Sequence, residues 1–240
     1  MKKILVPSLI ALAISSLASV AQAQTAPEST LSYNAGVVSD YRYRGISQSR
    51  LEPALQGGVD YADKSGFYVG AWGSTIKWIK DAGGDANVEL DLYGGYKGAV
   101  GDVAYDVGFL RYQYPSNKLA TSANTNEVYG AVTYGLFTAK YSHAVSNLFG
   151  FEDSKNSYYL DLSATFDLGN GYTLTPHVGR QSVKNIPAAS YNDFALTLGK
   201  DLGNGLSATA AVIDTTTDAY VYNDKNLGKT GLVVGLKYAF

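Results

Sequence analysis

Charged side chains recur in this sequence at spacings that would bring them to one face of extended segments. Arg42 and Arg44 follow Asp40 at two-residue intervals, and residues two apart on a strand point to the same side of a sheet. The carboxylates that we expect to meet the two guanidinium groups are Asp60, Glu89, Asp91 and Asp106, with Glu127 on the same inner face. Two interpretations stay open. The set forms a charged constriction that selects solutes by sign and size, or internal ion pairs that hold the strands in register.

Nucleophilic catalysis is a second chemistry to consider, and it needs a serine that passes its proton to a histidine. The chain has two histidines, and His143 precedes Ser146 by three residues. On a regular strand an odd spacing sends the two side chains to opposite faces, and the neighbouring Ser142 is also opposite. We therefore predict no catalytic residues, with His143 near an outer interface and His177 in the interior beside Thr175 and Gly179.

Metal and cofactor motifs are weak. The acidic stretch 214–218 and the pair Asn223-Asp224 lack the ordered ligand spacing of a dedicated calcium site, and a solvated polar loop explains them better. The chain has no cysteine, so no Cys/His cluster indicates zinc. We expect no metal and no cofactor.

The elements that would position the charged residues are strands. Hydrophobic and polar residues alternate with period two, which is a strand signal, in twelve segments. We place these at 31–41, 54–62, 67–76, 87–96, 103–114, 126–135, 137–146, 157–168, 172–183, 191–201, 206–216 and 230–240. No run of about 18 apolar residues follows residue 23, so the sequence predicts no helical membrane span in the mature chain.

Connections between the segments alternate in length. Short, turn-rich connections occur at 63–66, 97–102, 135–136, 169–171 and 202–205. Longer polar ones occur at 42–53, 77–86, 115–125, 147–156, 184–190 and 217–229. The pentapeptide Asp-Leu-Gly-Asn-Gly, present at 167–171 and 201–205, supplies Asn-Gly hairpin turns. The pattern predicts an all-β, antiparallel, up-and-down transmembrane barrel of about twelve strands, with short periplasmic turns and longer extracellular loops.

The last segment sets the register of the barrel. Leu232, Val234, Leu236, Tyr238 and Phe240 share one face, which we assign to lipid, and small or polar residues share the other. The same register sends Val37 outward and Val38 inward. Inward carboxylates are then Asp40, Asp60, Glu89, Asp91, Asp106, Glu127, Asp161, Asp167 and Asp193, against the cations Arg42, Arg44, Lys97, Lys140 and Lys237. Carboxylates outnumber cations, which predicts a mild preference for cations.

Export is indicated by the other end of the chain. Lys2 and Lys3 precede an apolar run to Val20, and Ala21-Gln-Ala23 has the small residues of a cleavage site. We predict a secretory signal peptide at 1–23, cleaved after Ala23, and one barrel domain at 24–240. Removal of the signal peptide changes the formal net charge from -2 to -4. A chain this acidic has no excess of basic residues to bind nucleic acid. The 20 tyrosines suit membrane interfaces.

One stretch goes beyond general barrel patterning: Ser-Asp-Tyr-Arg-Tyr-Arg-Gly-Ile-Ser-Gln at 39–48, followed by Pro-Ala-Leu-Gln-Gly-Gly at 53–58 and Gly-Phe-Tyr-Val-Gly-Ala-Trp-Gly-Ser at 66–74. It resembles the TorF family, exported bacterial proteins assigned as porins, and the resemblance extends over the whole mature chain. The resemblance implies an outer-membrane barrel that passes small solutes. It brings no catalytic residues to carry over.

Together these observations predict a porin-like channel for passive diffusion of small hydrophilic solutes, located in the bacterial outer membrane. Expected partners are the lipid bilayer, lipopolysaccharide, the outer-membrane assembly machinery and the solutes, with no nucleic acid, and the chain is expected to be a monomer. Phe240 resembles the terminal aromatic residue that the assembly machinery reads. Two alternatives remain. One is a plugged structural or adhesive barrel. The other is a lipid-acting enzyme, because the run at His143 is similar to the His-x-Ser-Asn run of outer-membrane phospholipases.

Overall fold

Twelve long strands form the chain's main sheet. The structure is a computed structural model that describes residues 29–240, so the predicted signal peptide and its cleavage site lie outside the described residues. The strands are β1 (Thr30–Val38), β2 (Ala54–Ala62), β3 (Phe67–Thr75), β4 (Val88–Val100), β5 (Val103–Gln113), β6 (Thr125–Tyr134), β7 (Phe137–Ala144), β8 (Tyr158–Ala164 and Phe166–Gly169), β9 (Tyr172–Ser182), β10 (Tyr191–Gly203), β11 (Leu206–Thr215) and β12 (Gly231–Ala239).

The sheet closes on itself. Each strand pairs antiparallel with the next along the chain, and β1 pairs with β12, with Asn34 opposite Ala239. Thr165 interrupts β8, and both parts of that strand pair with β9. Closure gives both edges of the sheet a hydrogen-bonded partner strand, and a sheet can span a membrane only in this closed form. The predicted all-β, twelve-stranded, up-and-down barrel is confirmed.

Short turns and long connections lie at opposite ends, here named the turn end and the loop end. The hairpins between β8 and β9 and between β10 and β11 turn at Asn170-Gly171 and Asn204-Gly205, all with positive φ between 52° and 82°. Two left-handed residues in succession give the twist that matches two-residue hairpins, and Asn-Gly adopts it at low cost. The repeated pentapeptide therefore forms two equivalent turns, as predicted.

Apolar side chains cover the outer wall. On β12, Leu232, Val234, Leu236 and Tyr238 are between 47% and 67% exposed, whereas Val233 is buried. The same alternation runs around the barrel, and at the loop end the apolar belt gives way to polar residues such as Arg111, which donates to Asn126. An exposed apolar surface of this extent needs a hydrocarbon environment.

The loop end carries most of the buried core. Ile79, Tyr114 and Leu148, all from connections or strand ends, are at most 2% exposed. The connections contain one α-helical turn, α1 (Trp78–Asp81), a 3-10 turn (Pro187–Ala189) and two short ladders, Arg42–Tyr43 with Ile46–Ser47 and Val221–Tyr222 with Lys225–Asn226. In the described range 29–240, no helix has the length and apolar character of a membrane span.

The main difference from the sequence prediction concerns the first connection, residues 39–53. We predicted that the first strand extends to residue 41 and that Arg42 and Arg44 continue along its inner face. The strand ends at Val38 instead, and most residues from Asp40 to Ser49 are buried. The chain therefore turns away from the wall and folds into the barrel mouth.

Candidate functional site in the barrel lumen

The first connection crosses the mouth of the barrel. Arg44 donates from Nη2 to Glu127 on β6, with 2.8 Å to Oε2, and from Nη1 to Gln181 on β9, with 2.7 Å to Oε1. Strands β6 and β9 lie across the barrel from β1, from which this connection starts. Residues 39–53 therefore span the lumen at the loop end.

Glycine is required at the tip of this connection. Arg44 and Gly45 both have positive φ, +48° and +80°. A Cβ on Gly45 would lie 2.5 Å from Cγ2 of Thr215 and 2.8 Å from Cβ of Asp193. The left-handed backbone and the close approach to β10 and β11 both exclude a larger side chain. The chain therefore makes a sharp turn at Gly45, and this turn lies inside the barrel.

A second ion pair holds the base of the connection. Arg42 donates from Nε to Oδ2 of Asp40 at 2.7 Å and from Nη1 to the carbonyl of Lys229 at 2.7 Å. Ser47 and Ser49 donate their hydroxyls to Oδ1 of the same carboxylate, at 2.5 and 3.2 Å. Asp40 thus links the two strands of the short ladder and, through Arg42, the connection before β12.

The predicted partners of the two arginines are therefore wrong. The guanidinium groups pair with Asp40 and Glu127, and none of the four carboxylates that we expected to meet them lies within ion-pair distance of either one in the described range. The physical reason is the inward turn after Val38, which carries the arginines away from β1. Period-two alternation holds only while the backbone stays extended, so it could not locate side chains beyond that turn.

Glu89 and Asp91 lie at the loop end of β4 and face inward, as predicted. Tyr41 and Tyr114 donate their hydroxyls to Glu89, at 2.5 and 2.7 Å, and cover it. Oδ1 of Asp91 is buried without a hydrogen-bond partner among residues 29–240. The sequence did not single out these tyrosines. For Tyr114 the available signal was its inward register at the end of β5, whereas Tyr41 lies in the first connection, where period two gives no signal.

Burial changes the ionisation of the loop-end groups. Burial raises the pKa of Tyr41 well above its ordinary value, and the nearby Glu89 carboxylate adds to the effect, so the phenol stays a hydrogen-bond donor. Burial alone would lower the pKa of Arg44, but the charge and hydrogen bond of Glu127 together with Tyr43 and Tyr112 outweigh it, and the pKa is raised. Arg44 is therefore a permanent cation inside the mouth. Its guanidinium carbon lies 4.8 Å from the Tyr43 ring centre and 4.4 Å from that of Tyr159.

Carboxylates nearer the turn end are less covered. Asp106 accepts from the hydroxyl of Tyr68 at 2.6 Å and lies 3.9 Å from Nζ of Lys97. Asp60 accepts from the hydroxyl of Tyr93. The side chains of Lys97 and Asp106 keep 32% and 17% of their surface exposed. These groups face inward as predicted and remain accessible from the lumen.

A third cluster joins β8, β9 and β10. Nε2 of His177 lies 3.2 Å from Asp161, and Nδ1 lies 3.6 Å from Asp193. Tyr159 donates its hydroxyl to Asp193 at 3.0 Å. The inward positions of these residues were predicted, but their meeting depends on the register between three strands. Asp167, which we predicted in the lumen, lies near the end of β8 opposite Thr173, where it is exposed and accepts from the backbone N–H of Gly169.

His143 does not meet a serine. It lies on the outer wall, and its ring nitrogens lie 3.2 Å from the hydroxyl of Tyr141 and from Oδ1 of Asn156. The hydroxyl of Ser146 accepts from the backbone N–H of Asn126 and donates to the carbonyl of Asn147. In the described part of the chain, no group of three or more His, Cys, Asp or Glu side chains is arranged to hold a metal ion.

Solved structures with the same fold are outer-membrane porins. The KdgM porin matches with a TM-score of 0.56 at 10% identity, over 88% of this chain and 99% of the porin. A second structure of it, in complex with disordered oligogalacturonate, matches with a TM-score of 0.55 at 10% identity over the same shares. The NanC porin matches with a TM-score of 0.54 at 12% identity, over 88% and 99%. At these identities the likeness establishes the fold.

Sequence comparison identifies the family. No curated protein sequence matches this chain significantly. One family model, described as a bacterial protein of unknown function, matches residues 22–240, which is nearly the whole chain. The chain therefore belongs to the Gcw_chp family of bacterial proteins of unknown function.

Proposed function

We propose that this protein is an outer-membrane channel that passes small hydrophilic solutes by passive diffusion. The observation that carries the proposal is the contrast between an apolar outer wall and a lumen lined by charged and hydroxyl side chains in a closed barrel. A plain structural barrel would have no need of exposed charges such as Lys97 and Asp106 inside. The fold shared with solved porins supports the same function.

Residues 39–53 form the proposed constriction. They cross the lumen at the loop end, where the ion pairs of Arg42 with Asp40 and of Arg44 with Glu127 fix the connection in place. Solutes would pass beside this connection and then meet the carboxylates Asp60 and Asp106 nearer the turn end. In this proposal the loop end faces the outside of the cell and the turn end faces the periplasm.

A mild cation preference follows from the pairing of these charges. Arg42 and Arg44 are each paired with a carboxylate, Asp40 and Glu127, so neither adds free positive charge to the mouth. Nearer the turn end, Asp60 is partly exposed and has no cation within ion-pair distance among residues 29–240. One porin of this fold was solved with oligogalacturonate, a polyanion. We do not extend that ligand to this chain, because its lumen has more carboxylates than cations.

Planar-bilayer recording tests the proposal. Protein without residues 1–23, refolded and added to a lipid bilayer, should give stepwise currents. A salt gradient should give a reversal potential of the sign expected for cations. Anion preference would overturn the selectivity. The absence of steps from protein that is folded by circular dichroism would favour a plugged structural or adhesive barrel, an alternative supported by the first connection crossing the mouth.

The remaining parts of this proposal concern targeting and identity. We propose outer-membrane insertion after cleavage behind Ala23, contact with lipopolysaccharide, and recognition of Phe240 by the assembly machinery. We also propose a monomeric channel and membership of the TorF group suggested by the resemblance at 39–48. Support comes from the apolar belt and from Phe240, whose ring lies on the outer wall and whose backbone closes the seam with Tyr33.

A further inference from the structure

A cavity lies at the loop end, between the first connection and the connections that surround it. Its volume is about 610 Å³. The connection 39–53 contributes Tyr43, Arg44 and Ile46 to Gln48 to its wall, and α1 and residues 119–121, 148–152 and 219–222 contribute to the rest. Cavities of about 300–1,000 Å³ bury most of a small organic ligand. Its size makes it a candidate binding site.

Aromatic rings dominate the wall of this cavity. Eight of the residues that line it are Phe, Tyr or Trp, including Trp78, Phe149, Phe151, Tyr191 and Tyr222. Several are fixed by edge-to-face contacts, such as Trp78 with Tyr114 at 5.2 Å between ring centres and Tyr191 with Tyr220 at 5.4 Å. Such packing holds the rings in place before a ligand arrives. Ring faces favour ligands that present an apolar or aromatic surface.

Most polar groups in the same wall are engaged within the protein, and the exceptions among residues 29–240 include two buried donors, Nε of Arg44 and Nε1 of Trp78. Arg44 donates to Glu127 and Gln181, and Asp81 accepts from Nε of Arg50 at 3.0 Å. The side-chain amide of Gln48 donates to the carbonyl of Ile46. A saccharide, with a hydroxyl on most ring carbons, would lose hydration there without regaining equivalent hydrogen bonds. An anionic ligand would have the same disadvantage, since Arg44, the only cation among the described residues that line the cavity, is paired with Glu127.

We propose that this cavity binds uncharged small aromatic molecules at the outer mouth of the barrel. The proposal goes beyond solute diffusion, because it assigns a saturable site of opposite polarity to the lumen. It does not depend on conduction. A barrel that passes no current would still bind the ligand, so the two proposals fail separately.

Intrinsic fluorescence gives a direct test, because the chain has only two tryptophans. Trp78 lines the cavity, whereas Trp72 lies on β3 against Tyr41, with 5.5 Å between ring centres, and does not line it. The probe is 4-nitrobenzyl alcohol, an uncharged nitroaromatic that quenches indole emission on contact. The protein is held in amphipol, which provides no detergent micelles for the probe. In Trp72→Phe protein, quenching of Trp78 should saturate, whereas in Trp78→Phe protein, quenching of Trp72 should rise without saturation.

Two cavity variants make the test specific. Tyr222→Ala removes one ring, and Ala120→Phe fills space from an exposed position in the wall. In the Trp72→Phe background, each substitution should raise the probe concentration that gives half-maximal quenching at least tenfold. Tyr172→Ala, an exposed aromatic at the turn end, should leave it unchanged. Both cavity positions lie in connections, and a heat-modifiable band on gels checks that each barrel has folded.

Three results would overturn the proposal. The first is unsaturable quenching of Trp78. The second is equal quenching curves for the cavity variants and the Tyr172→Ala control. The third is displacement of the probe by millimolar maltotriose, which would make the site a saccharide site. Retained binding by a protein that gives no stepwise current would leave this inference standing and remove the proposed channel function.

Discussion

The two ends of the lumen use the same kind of ion pair in different surroundings. At the loop end the Arg44 and Glu127 side chains are 2% and 1% exposed, whereas toward the turn end those of Lys97 and Asp106 are 32% and 17% exposed. The difference arises because the first connection buries the Arg44–Glu127 pair and leaves the Lys97–Asp106 pair open to the lumen. A buried charge depends on its partner, while a hydrated charge is free to act on passing ions.

Tyrosines follow the same division. Tyr41 and Tyr114 are almost fully buried and hold Glu89, whereas Tyr68 and Tyr129, which contact each other beside Asp106, stay partly exposed. The loop end is therefore a packed structural layer, and the region toward the turn end is the hydrated part of the lumen. Each of the following changes tests this division by altering one layer and not the other.

Removal of one cation from each layer should give the largest difference in the free energy of unfolding. Arg44→Ala leaves Glu127 buried without its charge partner and should lower the free energy of unfolding by about 3–5 kcal/mol. Lys97→Ala, the matched change in the hydrated layer, should cost less than about 1 kcal/mol. Urea unfolding in amphipol, followed by tryptophan fluorescence, measures both values.

Replacement of the whole buried pair provides the control. In the double variant Arg44→Met and Glu127→Leu neither charge is left alone, so much of the lost stability should return. Equal losses for Arg44→Ala and Lys97→Ala would contradict the division into a structural and a hydrated layer.

Two glycines at the loop end separate packing from backbone strain. Gly45 and Gly83 both have positive φ, +80° and +88°, but of the two only Gly45 has other atoms within 4 Å of the point where a Cβ would lie. Gly83→Ala should cost about 1 kcal/mol through the left-handed backbone. Gly45→Ala should add about 1–3 kcal/mol from overpacking against Thr215 and Asp193.

Single-channel conductance provides an independent comparison of Gly45→Ala with Gly83→Ala. A displaced tip at Gly45 should uncover the mouth and raise single-channel conductance, and Gly83→Ala should leave it unchanged. Unaltered conductance in a folded Gly45→Ala protein would mean that residues 39–53 do not limit flow.

The predictable part of this fold is the part governed by local alternation. The faces of Leu232 to Tyr238 could be predicted because each strand repeats the same period of two, and the Asn170-Gly171 pair predicts its hairpin turn. The run from Asp40 to Arg44 gave a wrong prediction of a continued first strand, because its sequence keeps period two while its backbone leaves the sheet. The cluster of His177 with Asp161 and Asp193, and the aromatic cavity, depend on contacts between separate elements, which one-dimensional periodicity does not encode.

At the turn end, we expect aromatic rings on the outer wall to contribute more to stability than lumen charges do. The Phe240 ring lies 5.8 Å from Tyr33 and 5.5 Å from Tyr238, and backbone hydrogen bonds join Phe240 to Tyr33 across the seam. Phe240→Ala keeps the backbone bonds and removes the stacking. It should cost about 0.5–1.5 kcal/mol in urea unfolding and leave conductance unchanged.

The proposed assembly role of Phe240 predicts a separate effect in cells. Phe240→Ala should reduce the amount of protein in the outer-membrane fraction more than Tyr172→Ala, another exposed aromatic at the turn end. Equal amounts of the two variants, at equal stability after refolding, would rule out a special role of Phe240 in assembly.

Ion selectivity should show the smallest effect, and it tests the hydrated layer directly. Asp60→Asn or Asp106→Asn removes a charge that solvent screens only partly, so the cation-to-anion permeability ratio should fall about two- to fourfold at low salt. The change should shrink at 1 M salt, where the Debye length is about 3 Å. Reversal potentials in a salt gradient measure the ratio.

Asp63→Asn is the matched control for selectivity. Asp63 lies in the exposed turn between β2 and β3, where hydrogen bonds from Ser65 lower its pKa to about 2, so it is charged at neutral pH. Its removal should leave the ratio unchanged, because the charge lies outside the lumen. A shift as large as that for Asp106→Asn would mean that overall protein charge controls selectivity. A shift confined to the two lumen variants would place the selective step in the hydrated layer, below the paired charges of the mouth.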